Sequence, residues 1–181
     1  RGQLFPVGRR GFARRKNGKL FMGEQPLVDD AGTIASGGAA CYLDAPWQDG
    51  AMALALEEAR RAAQRGEVPV GAVLYWDGEP VARAHNLRET RHDPLAHAEA
   101  LALRAAAESL GQWRLDRAAM VVTLEPCLMC MGALILARVP VLIYGADDAR
   151  AGAAGSLYDL SADPRLNHAI HVVRGVRRQA C

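Results

Sequence analysis

The segment VPVGAVLYWDGEPVARAH, residues 68–85, decides the fold of this chain. Its first half, residues 68–76, is a nearly continuous apolar run, which is typical of a buried strand. Asp77-Gly78 is a hairpin signal, because both residues tolerate the positive φ that a two-residue turn needs. Residues 80–85 are therefore predicted to return as the second strand of a hairpin.

The segments on either side of the hairpin alternate between helix and strand patterns. An amphipathic helix is predicted over residues 49–65. Asp93-Pro94 offers an N-cap with Pro at the first helical position, and Gly111 ends that helix. The remaining predicted elements are a strand at 118–124, a helix from Glu125-Pro126 to about Arg138, a strand at 140–144, a loop over 145–160, and a last strand or helix lead-in at 169–173. This order predicts an α/β sheet with helices on both faces, in three layers.

The composition is that of an ordinary soluble globular protein. Of the 181 residues, 50% are hydrophobic and 23% are charged, which fits one domain with a tail. No apolar run approaches the ~18 residues that span a bilayer, so no membrane segment is predicted. Four cysteines are too few for a disulfide scaffold, and we therefore expect a reducing compartment, the cytoplasm.

Residues 1–46 differ from the rest of the chain. They are rich in Gly and Arg and show no regular period, so they are interpreted as a poorly ordered extension of unknown role. The regular pattern belongs to a domain over residues 47–181. The basic excess lies in the extension, whereas the domain has slightly more acidic than basic residues. Bulk charge thus gives no support for nucleic-acid binding, which would need a local patch.

Cys127-Leu128-Met129-Cys130 is the first motif that carries chemistry. Alone, a C-x-x-C pair is a redox pair, half of a zinc site, or two core cysteines. Pro126 predicts a helix that starts here, and cysteines three residues apart share one helix face. The positive end of the helix dipole favours the thiolate, which is the form that a metal needs.

His97-Ala98-Glu99 complements that pair. A single His is usually structural, and this is the interpretation given to His85, His92, His168 and His171. His97 differs because Glu99 follows two residues later and because the small Ala96 and Ala98 leave space for an ion. With Cys127 and Cys130 it makes three ligands and leaves a fourth position open, which is typical of a catalytic zinc.

The pattern also predicts a reaction. A zinc ion with an open position acidifies a water molecule, and a carboxylate that is near the ion but not bound to it can move the protons. Glu99 is predicted to be that proton carrier; the alternative is a solvated surface carboxylate, as expected of Glu108. His97-Ala98-Glu99 and Pro126-Cys127-Leu128-Met129-Cys130 match the H-x-E and P-C-x-x-C signature already known for zinc-dependent deaminases.

A wider resemblance covers about 130 residues of the chain. The matching stretches are Glu67-Val68-Pro69-Val70-Gly71-Ala72-Val73, Arg91-His92-Asp93-Pro94, Val122-Thr123-Leu124-Glu125-Pro126-Cys127 and Gly152-Ala153-Ala154-Gly155-Ser156-Leu157. In these the chain resembles the bacterial tRNA-specific adenosine deaminase family. The resemblance implies a cytidine-deaminase-like α/β/α fold with a central mixed sheet of about five strands, a homodimer with one Zn²⁺ per subunit, and conversion of adenosine to inosine at the wobble position of a tRNA anticodon stem-loop.

The resemblance also implies three substrate-binding residues. Asn86 matches a position that contacts the flipped nucleotide, although it also fits a strand-ending turn. Val70 matches an apolar wall of the base pocket and would fit plain core equally well. Asp148 matches a loop position that touches the preceding nucleotide; the alternative is a solvated loop acid.

The C-terminal region departs from the family. The family continues into a further helix that helps to hold the anticodon loop, and this sequence is expected to lack it. Arg174, Arg177 and Arg178 form a small basic cluster that could meet phosphates, although three such arginines are also often just solvated.

Two other functions stay open from the sequence. One is a deaminase of the same fold that acts on free cytidine, guanine or a riboflavin precursor. The other, from a different class, is a non-catalytic zinc-binding or redox module in which Glu99 is incidental.

Overall fold

The structure, a computed structural model, describes residues 40–181. The predicted extension therefore lies outside the described residues over positions 1–39. After a 3₁₀ turn at Ala40–Leu43, the elements follow in this order: α1 (Ala45–Gln64), β1 (Gly71–Trp76), β2 (Glu79–His85), α2 (Arg88–Arg91), α3 (Ala98–Leu110), β3 (Ala118–Leu124), α4 (Leu128–Leu136), β4 (Val141–Ala146) and β5 (His171–Arg174).

The five strands form one mixed sheet in the order β2-β1-β3-β4-β5. β1 pairs antiparallel with both β2 and β3, while β3, β4 and β5 are parallel neighbours. The hairpin turn is confirmed, because Asp77 and Gly78 have φ values of 52° and 87°. The predicted mixed sheet of about five strands is therefore confirmed.

Both faces of the sheet are buried, and the two sets of side chains alternate along the central strands. One set packs with α1 and contains Val73, Tyr75, Ala119, Val121, Val141 and Ile143. The other packs with α3 and α4 and contains Ala72, Leu74, Met120, Val122, Leu142 and Tyr144. Because successive strand residues point to opposite faces, this alternation requires a helical layer on each side. The three-layer prediction is confirmed.

Helix α1 begins earlier than predicted, at Ala45 rather than residue 49. The Asp44 carboxylate accepts a hydrogen bond from the Trp47 backbone N–H, as an N-cap residue does. Upstream of this cap, the Tyr42 side chain is completely buried in the core beneath α1. The predicted domain boundary at residue 47 thus falls inside α1, and core packing extends at least to Tyr42.

The predicted start of α3 at Asp93-Pro94 is wrong. Asp93 Oδ1 instead accepts the Leu95 N–H at 2.9 Å and holds a turn. The chain stays extended at His97, with φ −73° and ψ 150°, and α3 begins only at Ala98. The short helix α2 was also not predicted. The end of α3 is as predicted, since Gly111 adopts φ 67° directly after Leu110.

Helix α4 also begins later than predicted, because Pro126 lies outside it and Cys127 is extended, with ψ 175°. β1 begins at Gly71 rather than Val68, whose side chain is half exposed. The last element is the strand β5. No helix in residues 40–181 is long and apolar enough to cross a membrane.

Candidate metal centre and substrate pocket

His97 and Cys127 occupy the N-cap positions of α3 and α4. N-cap side chains usually accept a hydrogen bond from the first helical turn, which stabilises a helix by about 1 kcal/mol. Neither side chain makes such a bond here. The imidazole and the thiol are instead directed at each other across the ends of the two helices.

The three predicted ligands form one cluster. His97 Nδ1 lies 3.7 Å from Cys127 Sγ and 3.7 Å from Cys130 Sγ, and the three donor atoms lie within 4.8 Å of one another. A tetrahedral zinc ion, with its usual Zn–N and Zn–S bond lengths, separates nitrogen from sulfur by about 3.6 Å. The two nitrogen–sulfur distances match this geometry, and Cys127 and Cys130 are free thiols, so the donor set suits a zinc ion.

The two thiols differ in acidity. The Cys130 thiol, and then His97, donate hydrogen bonds that lower the pKa of Cys127 to about 3. The same contact with Cys127, followed by burial, raises the pKa of Cys130. The pKa of His97 is raised, chiefly by its hydrogen bond with Cys127. A divalent cation bound by this cluster would stabilise both cysteines as thiolates.

Glu99 lies in the first turn of α3, and only 4% of its surface is exposed. Burial is the largest influence on this carboxyl group and raises its pKa. It borders the same pocket as His97 and Cys127 but does not belong to the three-donor cluster. A carboxyl group in this position is available for proton transfer.

One pocket collects nearly all of the predicted site residues. Its lining contains Val70, Asn86, His97, Glu99, Cys127 and Asp148. The remaining one, Cys130, is completely buried beside it. Val70 both lines the pocket and packs against the hydrophobic core. None of His85, His92, His168 and His171 lines the pocket.

Sequence reasoning missed a buried carboxylate, Glu67, behind the pocket. It accepts hydrogen bonds from Asn86 Nδ2 at 3.1 Å and from the backbone N–H groups of Glu89 at 3.2 Å and Thr90 at 2.7 Å. Burial alone would raise its pKa, but the bonds from Thr90 and Glu89 and the charge of Arg88 together lower it. Its partners lie 19 to 23 residues further along the chain, so no local sequence pattern marked it.

A second missed carboxylate, Glu125, lines the pocket and holds the loop beside it. It accepts the N–H groups of Asp148 at 3.0 Å, Ala154 at 2.9 Å and Ser156 at 3.0 Å, and also the Ser156 hydroxyl. Burial would raise its pKa, but these hydrogen bonds outweigh it and lower the pKa. Glu125 had been assigned to a helix start, whereas it anchors the loop that carries Asp148.

Asp148 closes its own turn. Its Oδ1 accepts the backbone N–H groups of Arg150 at 2.9 Å and Ala151 at 3.2 Å. Ala151 and the partly exposed Arg88 also border the pocket. Asp148 therefore holds its own turn in the loop that lines the pocket.

The predicted basic cluster near the C-terminus is bonded within the fold. Arg177 pairs with Asp49, and Arg178 pairs with Asp147. Arg174 donates to the Ala154 carbonyl at 2.7 Å. These arginines thus do not form a free cationic patch.

The fold and the site define the class of this protein. The sequence profile of the MafB19-like deaminases matches residues 47–177. These residues contain all five strands, the His/Cys/Cys cluster and Glu99. The chain is therefore a member of the deaminases that share this fold.

Individual relatives narrow that class. A tRNA-specific adenosine deaminase of Bacillus subtilis (strain 168) is 50% identical over 127 residues, which are 70% of this chain and 79% of that protein. A relative from Streptococcus pyogenes serotype M18, with the same description, is 45% identical over 127 residues, which are 70% of this chain and 80% of the relative. The chain belongs to the family of tRNA-specific adenosine deaminases.

Solved structures agree with this family. A chain studied for A-to-I editing by tRNA:A34 deaminases at the wobble position of transfer RNA superposes with a TM-score of 0.70 and 45% identity, over 72% of this chain and 95% of the other. The match confirms the cytidine-deaminase-like form of the fold. A guanine deaminase from Bacillus subtilis superposes with a TM-score of 0.54 and 35% identity, over 61% of this chain and 70% of the other.

Proposed function

We propose that this chain hydrolyses adenosine to inosine at the wobble position of tRNA, with Zn²⁺ as its cofactor. The observation that carries the proposal is the convergence of His97, Cys127 and Cys130 in one pocket with the buried carboxyl group of Glu99. Membership of the tRNA-specific adenosine deaminase family supplies the substrate. Release of ammonia from the exocyclic amine completes the hydrolysis.

His97 Nδ1 and the two thiolates would hold one zinc ion per subunit. Three protein ligands leave one position for water, as in catalytic zinc sites. When bound, the ion supplies a water molecule acidified enough to act as the nucleophile near neutral pH. The hydrogen bonds from Cys130 and His97 lower the pKa of Cys127 and so favour the thiolate that a metal needs.

Glu99 moves the protons. Burial raises its pKa above the ordinary value for a glutamic acid. A carboxyl group that borders the pocket without joining the ligand set can accept a proton and return it. It would deliver one proton to the ring nitrogen beside the attacked carbon and one to the leaving amine.

The remaining pocket residues would bind the nucleotide. Val70 offers an apolar wall for the base, and Asn86 offers a hydrogen bond at the pocket lining. Asp148, whose backbone N–H donates to Glu125, would contact the neighbouring nucleotide of an anticodon stem-loop. The base and its neighbour would thus be recognised by two parts of the pocket lining, one held by Glu67 and the other by Glu125.

The functional unit would be a homodimer. The outer face of α4 carries Leu128, Met129, Gly132, Ala133 and Leu136, and it has no charged residue. Leu128 is 48% exposed and Leu136 is 71% exposed. An uncharged apolar face suits a second copy of itself better than a phosphate backbone. The thiolate ligands require a reducing compartment, and we therefore assign the reaction to the cytoplasm.

The substrate test compares RNA with free compounds. The zinc-loaded protein is incubated with an anticodon stem-loop that has adenosine at the wobble position, and inosine is measured by mass spectrometry of the digested RNA. Parallel reactions with free adenosine, cytidine and guanine are followed by ammonia release. We expect inosine in the stem-loop and little release from free compounds. Turnover of free guanine or cytidine alone would instead assign the chain to the guanine or cytidine deaminases.

A further inference from the structure

Glu67 is a buried carboxylate whose partners are all hydrogen-bond donors. It is 5% exposed, and it lies behind Asn86, which is 6% exposed. Its Oε2 accepts Asn86 Nδ2 and the Glu89 N–H, and its Oε1 accepts the Thr90 N–H. Because a carboxylate can only accept when it is ionised, the three donors and the charged form stabilise one another.

This arrangement fixes which end of the Asn86 carboxamide faces the pocket. Its NH₂ group must point to Glu67, because the carboxylate offers no proton for the carbonyl oxygen. Within residues 40–181, the Oδ1 atom of Asn86 accepts no hydrogen bond. It is also not one of the fully buried polar atoms without a partner, so it is accessible from the pocket side. Since Asn86 lines the pocket, Oδ1 is presented to the ligand as an acceptor.

An acceptor at this place requires a donor on the substrate. Adenosine within an RNA strand has two such groups, the exocyclic amine and the ribose 2′-hydroxyl, because its 3′ and 5′ oxygens are esterified. The amine is the group that leaves, and it must face His97 and Glu99. The 2′-hydroxyl is then the donor available to Asn86.

We propose that Glu67 is a positioning residue that holds Asn86 as an acceptor for the 2′-hydroxyl of the target nucleotide, so that the pair selects ribose over deoxyribose. The inference rests on the proposed function and adds to it the reason why RNA is preferred to DNA. Glu67 also binds the first turn of α2, which begins at Arg88 on the pocket lining. One carboxylate thus orders two parts of the same wall.

The first experiment uses two stem-loops that differ in one atom. One carries adenosine at the target position, and the other carries 2′-deoxyadenosine there in an otherwise identical RNA. The wild type is expected to show a kcat/KM about tenfold or more higher for the ribose substrate, as one hydrogen bond to a buried group would give. The variant Glu67→Gln should lower kcat/KM for the ribose substrate and change that for the deoxyribose substrate little. The ratio of kcat/KM for the ribose substrate to kcat/KM for the deoxyribose substrate then falls towards one.

A purely structural role for Glu67 would lower both rates together. Zinc content and thermal unfolding of Glu67→Gln are measured in parallel to detect a folding defect. Glu108→Gln is the matched control, because Glu108 is an exposed carboxylate on α3. It should keep the ribose preference of the wild type.

The second experiment tests the contact between the two side chains. Asn86→Asp alone places two carboxylates against each other and should lose most activity. Adding Glu67→Gln to that variant should restore part of it, because the new amide can donate to the new carboxylate while an oxygen still faces the pocket. Activity of the double variant above that of Asn86→Asp alone supports the inference, and strictly additive losses overturn it.

The outcomes separate this inference from the proposed function. A wild type that forms no inosine in any stem-loop contradicts both. A wild type that is active on the stem-loop but indifferent to the 2′-hydroxyl overturns only the inference. The same holds if Glu67→Gln keeps the full ribose preference.

Discussion

The sequence predicts the reacting groups, because two short motifs have the spacing that is typical of zinc ligands and a proton carrier. These groups are His97, Glu99, Cys127 and Cys130. Each half of the signature is compact, and the fold needs only to bring two helix N-termini together. Glu67 and Glu125 could not be predicted in the same way. Their hydrogen-bond partners are mostly backbone N–H groups more than 20 residues away, and no local pattern marks such a contact. Sequence reasoning therefore found the reacting groups and missed the residues that hold the pocket walls.

The free energy of unfolding should depend on pH in part through the ionisation of Glu125. Its pKa in the folded protein is lowered, so its contribution to stability is complete above the unfolded value of about 4.3 and is lost as the pH falls through the folded pKa. Glu125→Gln should be less stable than the wild type at pH 7, and the difference should shrink on acidification below about pH 4.3. Urea unfolding at several pH values measures this difference.

The free energy of unfolding of the variant is subtracted from that of the wild type at each pH. This difference removes the titrations that the two proteins share, including those of the metal ligands. Glu108→Gln should track the wild type at every pH, since that carboxylate is exposed. A Glu125→Gln variant whose deficit is the same at pH 3 and pH 7 would show that the carboxylate charge does not hold the loop.

Among the elements, strands and helix ends were predicted better than helix starts. β3 was predicted residue for residue, and Gly111 ends α3 as expected. The starts of α3 and α4 were predicted too early, because Asp93 instead holds a turn and Pro126 lies before the helix. The functional side chains need extended backbone at His97 and Cys127, so each helix begins only after its ligand. Local capping rules were overridden at the site itself.

The packing of α1 on β1 depends on a glycine. A Cβ at Gly71 would collide with the backbone of Ala55 and Ala59 on α1. Because backbone atoms cannot rotate away as a side chain would, Gly71→Ala should destabilise the protein by about 1 to 3 kcal/mol. Chemical denaturation measures the loss. Gly50→Ala is the control, since a Cβ there meets nothing, and it should not destabilise.

At the scale of the whole molecule, helices cover both faces of the sheet, and on one face the covering helix exposes apolar side chains to solvent. α1 covers one side, and α4 leaves Leu128 and Leu136 exposed on the other. If this face joins two copies, the wild type should have twice the mass of one chain in light scattering. Leu136→Glu should give single chains, because it places a charge in an apolar contact.

The control for this prediction is Leu43→Glu. Leu43 is 43% exposed, and it lies in the 3₁₀ turn before α1, on the other side of the sheet. This variant should keep the mass of the wild type. A wild type that stays monomeric at micromolar concentration, or a Leu136→Glu variant that remains a dimer, would contradict an interface on α4.

The central claim is that three residues hold one zinc ion while Glu99 moves protons without binding the metal. Its most direct test is metal content measured together with inosine formation, in the wild type and in Glu99→Ala. We expect one zinc per chain and an unchanged fold in both proteins. Turnover should fall by at least about 10²- to 10⁴-fold in the variant, the usual contribution of a general acid–base group. A wild type without zinc, loss of the metal with Glu99, or full activity of the variant would contradict the account.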